Sequence, residues 1–302
     1  MEFYIERYKN RERLDFECEV ITPMFISGAD PKEVELRSAS IKGALRFWWR
    51  ALYGRKYQNI DEMKKAEGEL FGDTEQKSKI KALIDYTSNP HWIDWVKPLP
   101  HKTNTNFTFP AIKPGYQFSV SFITDEDNKN EINNLFILFS ILGGLGKRSR
   151  RGFGSFIIKS KTNITNIPDY LSQILNVQNE NNVINFNNIN NLKYPYIERI
   201  LIGKSFTDYN TLLFTVGRLS HDNDCDFTGY AKKRKIRTHN NGTIEKSKRF
   251  ASPLYISSYK IKNDYYPIIS VLNTAFDPDV VDINRNENKQ IDFINSLMQG
   301  GR

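Results

Sequence analysis

The sequence predicts an α+β protein of two domains, and three observations carry that expectation. The chain is 302 residues long, beyond the size at which one hydrophobic core keeps growing. Over the first half its apolar residues switch between a period of two and a helical period, in the order β-α-(α)-β-β-α-β. A low-complexity stretch, with nine asparagines between Asn176 and Asn191, then interrupts the pattern before strands and helices resume.

Leu14, Phe16, Cys18 and Val20 alternate with Asp15, Glu17 and Glu19, which predicts a strand near 14–22 with one buried face. In the run from Ser38 to Gly54, Ile41, Leu45, Trp48 and Leu52 fall at helical spacing, with serines for the N-cap and Gly54 as the stop. One face of that helix is core, with Trp48 and Trp49 as core and core-edge residues; the other presents Lys42, Arg46 and Arg50 at successive i, i+4 steps. A second short helix is expected over 61–71, and a strand through Ile80, Ala82, Ile84 and Tyr86. The stretch 87–110, with prolines at 90, 98, 100 and 110, reads as a loop. Tyr116, Phe118, Val120 and Phe122 predict another strand, the apolar run 135–142 a buried helix, and Phe153 to Lys159 a last strand. That order is the one of a ferredoxin-like (RRM-like) sheet with helices on one face.

Beyond the asparagines, strands are expected over Ile197–Lys204, Pro253–Tyr259 and Tyr266–Leu272, a helix over Tyr209–Leu219, and a terminal helix carrying Ile291, Ile294, Leu297 and Met298. The expected organisation is two ferredoxin-like domains in tandem: 1–160, a linker over 161–195, and 196–302.

Apolar residues make up 39% of the chain, too many for a disordered polymer. No apolar run approaches the roughly 18 residues of a membrane span, and the first residues lack the apolar core of a signal peptide. A cytosolic (cytoplasmic) protein with no membrane partner is expected. Cys18 and Cys225 are the two cysteines; far apart and outside any C-x-x-C spacing, they indicate neither a disulfide framework nor a zinc site, and no cofactor is expected. The segment His221-Asp222-Asn223-Asp224-Cys225-Asp226 offers alternating acids but has Phe227 where a calcium loop needs glycine and Lys233 where it needs glutamate, so a solvated turn is expected there.

The formal charge is +8, from 43 Lys and Arg against 35 Asp and Glu. It is concentrated. Gly143 to Gly154 holds Lys147, Arg148, Arg150 and Arg151 and no acid; Tyr230 to Phe250 holds eight basic residues, among them Lys232, Lys233, Arg234 and Lys235, and one acid, Glu245. Two such segments point to one anionic partner, with a plain solvated face as the alternative for the second. Asn240-Asn241-Gly242 at its centre is a turn signal, compatible with a hairpin or a mobile arm.

Gly143-Gly144-Leu145-Gly146-Lys147-Arg148-Ser149-Arg150-Arg151-Gly152-Phe153-Gly154 is the most specific motif. Its glycines permit close backbone approach, and its cations attract anions, so it reads as a phosphate-cradling loop. It is not a Walker A loop, because Ile141 and Arg148 occupy the first glycine and the Ser/Thr positions; Ser149 breaks G-x-G-x-x-G. Arg151-Gly152-Phe153-Gly154 matches only the first half of an RNP1 motif, so a base-stacking platform does not follow. The helix start Ser40-Ile41-Lys42-Gly43 is the second candidate: open N–H groups, a positive dipole end and a glycine that costs helix stability favour an anion there. An ordinary amphipathic helix with a polar cap is the alternative.

Ser-x-Lys-Gly-x-x-Arg over Ser40 to Arg46, followed by the 143–154 loop, resembles the RAMP superfamily of CRISPR-associated RNA-binding proteins. Glu35-Leu36-Arg37, the run from Leu45 to Ala51, and Arg249-Phe250-Ala251-Ser252-Pro253-Leu254 narrow the resemblance to the subunit-one family of type III-B (Cmr) effector complexes. The resemblance implies a pair of ferredoxin-like domains in a ribonucleoprotein for antiviral defence. Such a subunit contacts guide RNA and/or single-stranded target RNA near the guide 3′ end, beside other RAMP subunits, and does not cut. Carried over residue by residue, RNA contact falls on Ser40, Lys42, Gly43 and Arg46, and on Gly143, Gly144, Gly146, Lys147, Arg148, Arg150, Arg151 and Gly152. Arg50 and Lys232 to Lys235 extend the same basic surface. Because some RAMP relatives cleave guide precursors with a histidine as general acid or base, a metal-independent endoribonuclease using His91, His101, His221 or His239 is the alternative.

Overall fold

A computed structural model describes residues 11–30, 32–87, 89–161, 164–186, 196–222, 237–240, 243–244, 252–273, 280–281 and 287–301. The fold is mixed α and β. In the first half, β1 (Arg11–Val20) leads to α1 (Ser38–Tyr53), α2 (Ile60–Phe71) and β2 (Lys81–Asp85). The chain continues through β3 (Ile93–Val96), β4 (Phe109–Ile112), β5 (Gln117–Asp125), α3 (Glu126–Leu142) and β6 (Phe156–Ile158). Four of these strands form a sheet in the order β2-β5-β1-β6, every neighbouring pair antiparallel.

Alternation along β1 and β5 sends Phe16, Cys18, Val20, Phe118, Val120 and Phe122 to one face, where they are buried. Phe16 and Phe122 meet Phe136 of α3 there, with ring centroids 4.6 and 5.0 Å apart. On the other face, beside Leu83, Ile123 and Ile157, polar residues pair: Arg13 with Asp15, Ser121 donating to Asp15, and Ser119 donating to Glu17. That face carries no aromatic row.

The stretch 87–110, expected as a loop, holds more structure than that. Asn89 accepts from the His91 amide and starts a 3₁₀ turn at Pro90–Trp92, after which β3 and β4 pair as a two-stranded ribbon. Pro110 is tolerated because a two-stranded ribbon leaves one edge without a ladder to serve. The last strand is also shorter than expected. Gly152 and Gly154 have φ of 83° and 68°, so the chain is turning there and becomes extended only at Phe156.

The segment 161–195, expected as an asparagine-rich linker, contains α4 (Ile167–Leu175), β7 (Asn179–Glu180) and β8 (Val183–Asn185). Its asparagines have separate jobs. Asn166 caps α4 by accepting from the Asp169 amide, and Asn176 ends it in the left-handed region at φ 52°. Asn181 and Asn182, at φ 53° and 64°, form the turn between β7 and β8, where a tight hairpin demands two left-handed residues. The remaining elements are β9 (Ile197–Ile202), α5 (Tyr209–Asp222), β10 (Arg237–Asn240), β11 (Thr243–Ile244), β12 (Leu254–Ile261), β13 (Asp264–Leu272), β14 (Val280–Val281) and α6 (Glu287–Met298). A second antiparallel sheet runs β12-β13-β9-β8-β7, while β10 pairs with β11 and β14.

α3 lies between the first sheet and β12, which explains its apolar character on every side: Leu135 to Leu142 are all buried. Ser257 of β12 donates its hydroxyl to the Ile141 carbonyl at 2.6 Å. Among the described residues, no helix is long and apolar enough to cross a membrane.

Candidate nucleic-acid interface

α1 builds the first candidate surface. Ile41, Leu45, Trp48, Trp49, Ala51 and Leu52 are buried, and Trp49 donates its indole N–H to Glu131 of α3 at 2.5 Å, so the helix is locked by one face. The serines expected as caps lie inside the first turn instead: the N-cap is Arg37, in an extended conformation and without a side-chain cap bond. No acid lies in that turn, which leaves the positive end of the helix uncompensated by its own residues.

Gly43, in the second turn of α1, is exposed, and a Cβ placed on it meets nothing within 4 Å. Neither packing nor backbone conformation requires glycine there, yet glycine costs a helix about 1 kcal/mol relative to alanine. Beside it, partial burial and then the neighbouring Arg46 charge push the Lys42 ammonium below its ordinary range. Among the described residues Lys42 makes no ion pair.

Arg46 and Arg50 are held from below by a residue the sequence reading missed. Asn59 caps α2 through the Asp61 and Glu62 amides, and α2 places Glu67 against α1 with only 5% of its side chain exposed. Glu67 Oε1 accepts from Arg46 Nε at 2.7 Å; Arg50 Nη1 reaches Oε1 at 2.8 Å and Oε2 at 3.0 Å. Two guanidiniums on one carboxylate leave a positive excess at the surface. No signal in the sequence distinguished Glu67 from the other acids of α2.

The glycine-rich loop makes contacts within the protein that its motif did not announce. It is the joint between the two halves of the molecule. Leu145 N donates to Gly154 O, Lys147 N to Phe25 O, Gly152 N to Ile256 O and Gly154 N to Pro23 O, all within 2.9 Å. A Cβ on Gly154 would stand 1.9 Å from the Leu145 carbonyl oxygen, and one on Gly146 2.2 Å from that of Phe25. Gly143 packs against Trp48 and Phe139, Gly144 against the Phe153 carbonyl, and Gly152 against Leu213. The close approach these glycines permit is to the protein's own backbone and side chains.

Two of the expected phosphate contacts are drawn into that joint. Arg151 is 6% exposed and donates to the carbonyls of Arg150 and Leu254. Arg150 donates to the Ser252 carbonyl, and its guanidinium lies over the rings of Phe47 and Tyr255, 5.2 and 5.6 Å from their centroids. Tyr255 donates to the Gly144 carbonyl, and burial pushes its hydroxyl pKa up to about 12. What the loop turns outward is Gly146 and Lys147, both exposed, with Arg148 and Ser149 half-buried beside them. Lys147 Nζ sits 5.2 Å over the Phe109 ring.

Other expected positions scatter. Lys232, Lys233, Arg234 and Lys235 lie outside the described residues. His91 stands on the 3₁₀ turn before β3, and His239 lies within β10. The fold brings His101 and His221 together with rings 5.6 Å apart and stacked, but both ring nitrogens of His101 are shielded from solvent. Among the described residues no group of three or more His, Cys, Asp or Glu is placed to hold a metal ion.

The RAMP superfamily profile matches residues 17–157, the span from β1 to β6 that contains α1, α2 and the loop. The CRISPR system Cmr subunit Cmr1-2 of Pyrococcus furiosus is 30% identical over 175 residues, 48% of this chain and 94% of that protein. Cmr1-1 of the same organism is 29% identical over 167 residues, 50% of this chain and 49% of that one. Crystalline Cmr1 from P. furiosus superposes on 96% of this chain and 100% of its own with a TM-score of 0.61 at 20% identity. A chain of the type III-B Cmr-beta assembly bound to cognate target RNA does so over 95% of this chain and 100% of its own, with a TM-score of 0.59 at 13% identity. The chain belongs to the RAMP superfamily and, within it, to the Cmr1-like proteins of type III-B systems.

Proposed function

We propose that this protein is a non-catalytic, RNA-binding subunit of a type III-B CRISPR effector ribonucleoprotein. In that reading the outward face of α1 and the outer turn of the glycine loop hold phosphates of guide or target RNA near the guide 3′ end. Other RAMP subunits pack alongside. The observation that carries the reading is Gly43: an exposed glycine in a helix, unexplained by packing or φ, flanked by Ser40 and Lys42 and continued by Arg46 and Arg50. A polyanion lying on the helix start supplies the reason, since it must approach the backbone closely. The names of the relatives support the assignment to such a complex. The shielded nitrogens of His101 argue against a histidine pair working on a phosphodiester.

The same reading treats the two halves as ferredoxin-like units in tandem, divided near residue 160. The first follows β-α-β-β-α-β with sheet order β2-β5-β1-β6. The second follows β9-α5-β12-β13-α6, with β8 from upstream in the place of the fourth strand.

The test is the salt dependence of single-stranded RNA binding by the full chain. Each phosphate contact on a single strand contributes roughly 0.7 to the slope of log K against log salt. Lys42→Ala and Lys147→Ala are each expected to weaken binding several-fold and to flatten the slope by about that amount. Unchanged affinity and slope in both variants sinks the assignment.

A further inference from the structure

We propose that Glu67 is a positioning residue for RNA: an acidic side chain that strengthens binding of a polyanion by fixing how Arg46 and Arg50 meet it. The inference rests on the reading that α1 binds phosphates, and it turns on which nitrogens the carboxylate occupies. Arg46 uses Nε, so neither of its terminal nitrogens is bonded to Glu67; Arg50 uses Nη1, so its Nε and Nη2 remain. The two side chains are 35% and 38% exposed while that of Glu67 is 5% exposed. The carboxylate is thus a buried floor with a guanidinium fork on either side of it. Arg46 is held further by the Phe71 ring, 5.9 Å from its guanidinium carbon.

An arginine on a free stem loses rotamer freedom when it binds phosphate; one already fixed by a carboxylate and a ring loses less, and its remaining N–H groups keep the spacing of a bidentate contact. Arg46 and Arg50 are one helical turn apart, and Lys42 one turn before them, so the fixed groups form a short cationic row along α1. The ligand class is a phosphodiester backbone. Bases are not required.

The experiment uses a sign. Glu67→Gln makes the protein more positive, so an account based on net charge alone expects tighter RNA binding. Positioning expects the reverse: binding of a single-stranded RNA weakened by about ten-fold or more, with a flatter salt slope, in protein whose far-UV spectrum and melting confirm the fold. In an Arg46→Ala/Arg50→Ala background the same Glu67→Gln change is expected to weaken binding no further. Arg46→Lys/Arg50→Lys, which keeps the charge and all of Glu67 but removes the fork, is expected to weaken binding as well, and it decides the matter where Glu67→Gln fails to fold. Glu67→Gln protein that binds RNA as well as or better than the parent overturns the proposal, as does full affinity in the double-lysine variant. If Arg46→Ala/Arg50→Ala itself leaves binding unchanged, the phosphate reading of α1 fails, and the positioning role with it.

Discussion

Gly43 and Gly154 show how one residue type answers two different demands. Gly154 is glycine because its φ is positive and the Leu145 carbonyl leaves no room for a Cβ. Gly43 has open space around it and helical neighbours, so the fold gains nothing from it. Gly43→Ala is therefore expected to raise stability by about 1 kcal/mol while lowering RNA affinity, because the added methyl stands where the backbone of a ligand lies. Thermal melting and RNA titration of the one variant check both signs. Affinity equal to the parent's would return Gly43 to the status of a tolerated imperfection. Both glycines look alike in the sequence, where only their neighbours are visible. The partner that distinguishes Gly154, the carbonyl of Leu145, is nearby in the chain, but its closeness depends on the turn that the fold completes.

At the scale of the element, the glycine loop holds the two halves together, while α1 leaves Arg46 and Arg50 part-exposed. The loop's density of glycine and arginine suggested a ligand cradle, but two of its three arginines, Arg150 and Arg151, are taken up by Ser252 and Leu254 of the second half and by the rings of Phe47 and Tyr255. Arg151→Ala removes a buried guanidinium and strands the carbonyls of Arg150 and Leu254. We expect a loss of about 2–4 kcal/mol in stability, measured by denaturant unfolding, with RNA affinity of the folded fraction close to that of the parent. A large affinity loss at unchanged stability would restore the loop as the main RNA contact. α1 was legible from its period: the buried stripe Ile41, Leu45, Trp48 and Leu52 stands as the spacing predicts. The strands β1 and β5 were legible for the same reason. The asparagine-rich stretch was not. Composition reports how many asparagines there are, whereas their use as cap, stop and hairpin turn depends on φ values that the surrounding strands impose. The β3–β4 ribbon was hidden by its prolines, which mark turns reliably and exclude a strand only where a ladder needs the missing N–H.

For the molecule as a whole, charge and packing are separated in space. The halves are joined by apolar contacts of α3 with β12 and by the loop's hydrogen bonds, and Arg150 and Arg151 of that joint point inward. Lys147 is exposed, and half-buried Lys42, Arg46 and Arg50 follow one another along one side of α1. The outer face of the first sheet, where an RRM-like domain would stack bases, offers Arg13, Asp15, Glu17, Ser119 and Ser121 paired with one another instead. The basic excess visible in the sequence does not by itself locate the exposed cations, because a count of arginines cannot tell one buried on a carbonyl from one facing solvent. Photocrosslinking tests the location most directly. A single-stranded RNA carrying 4-thiouridine is irradiated on the full chain, and the crosslinked peptides are mapped. The account predicts crosslinks on the first three turns of α1, from Ser38 to Arg50, and at Gly146–Lys147. Crosslinks concentrated on the outer face of β1 and β5 or around His101 and His221, with α1 unmarked, would contradict it.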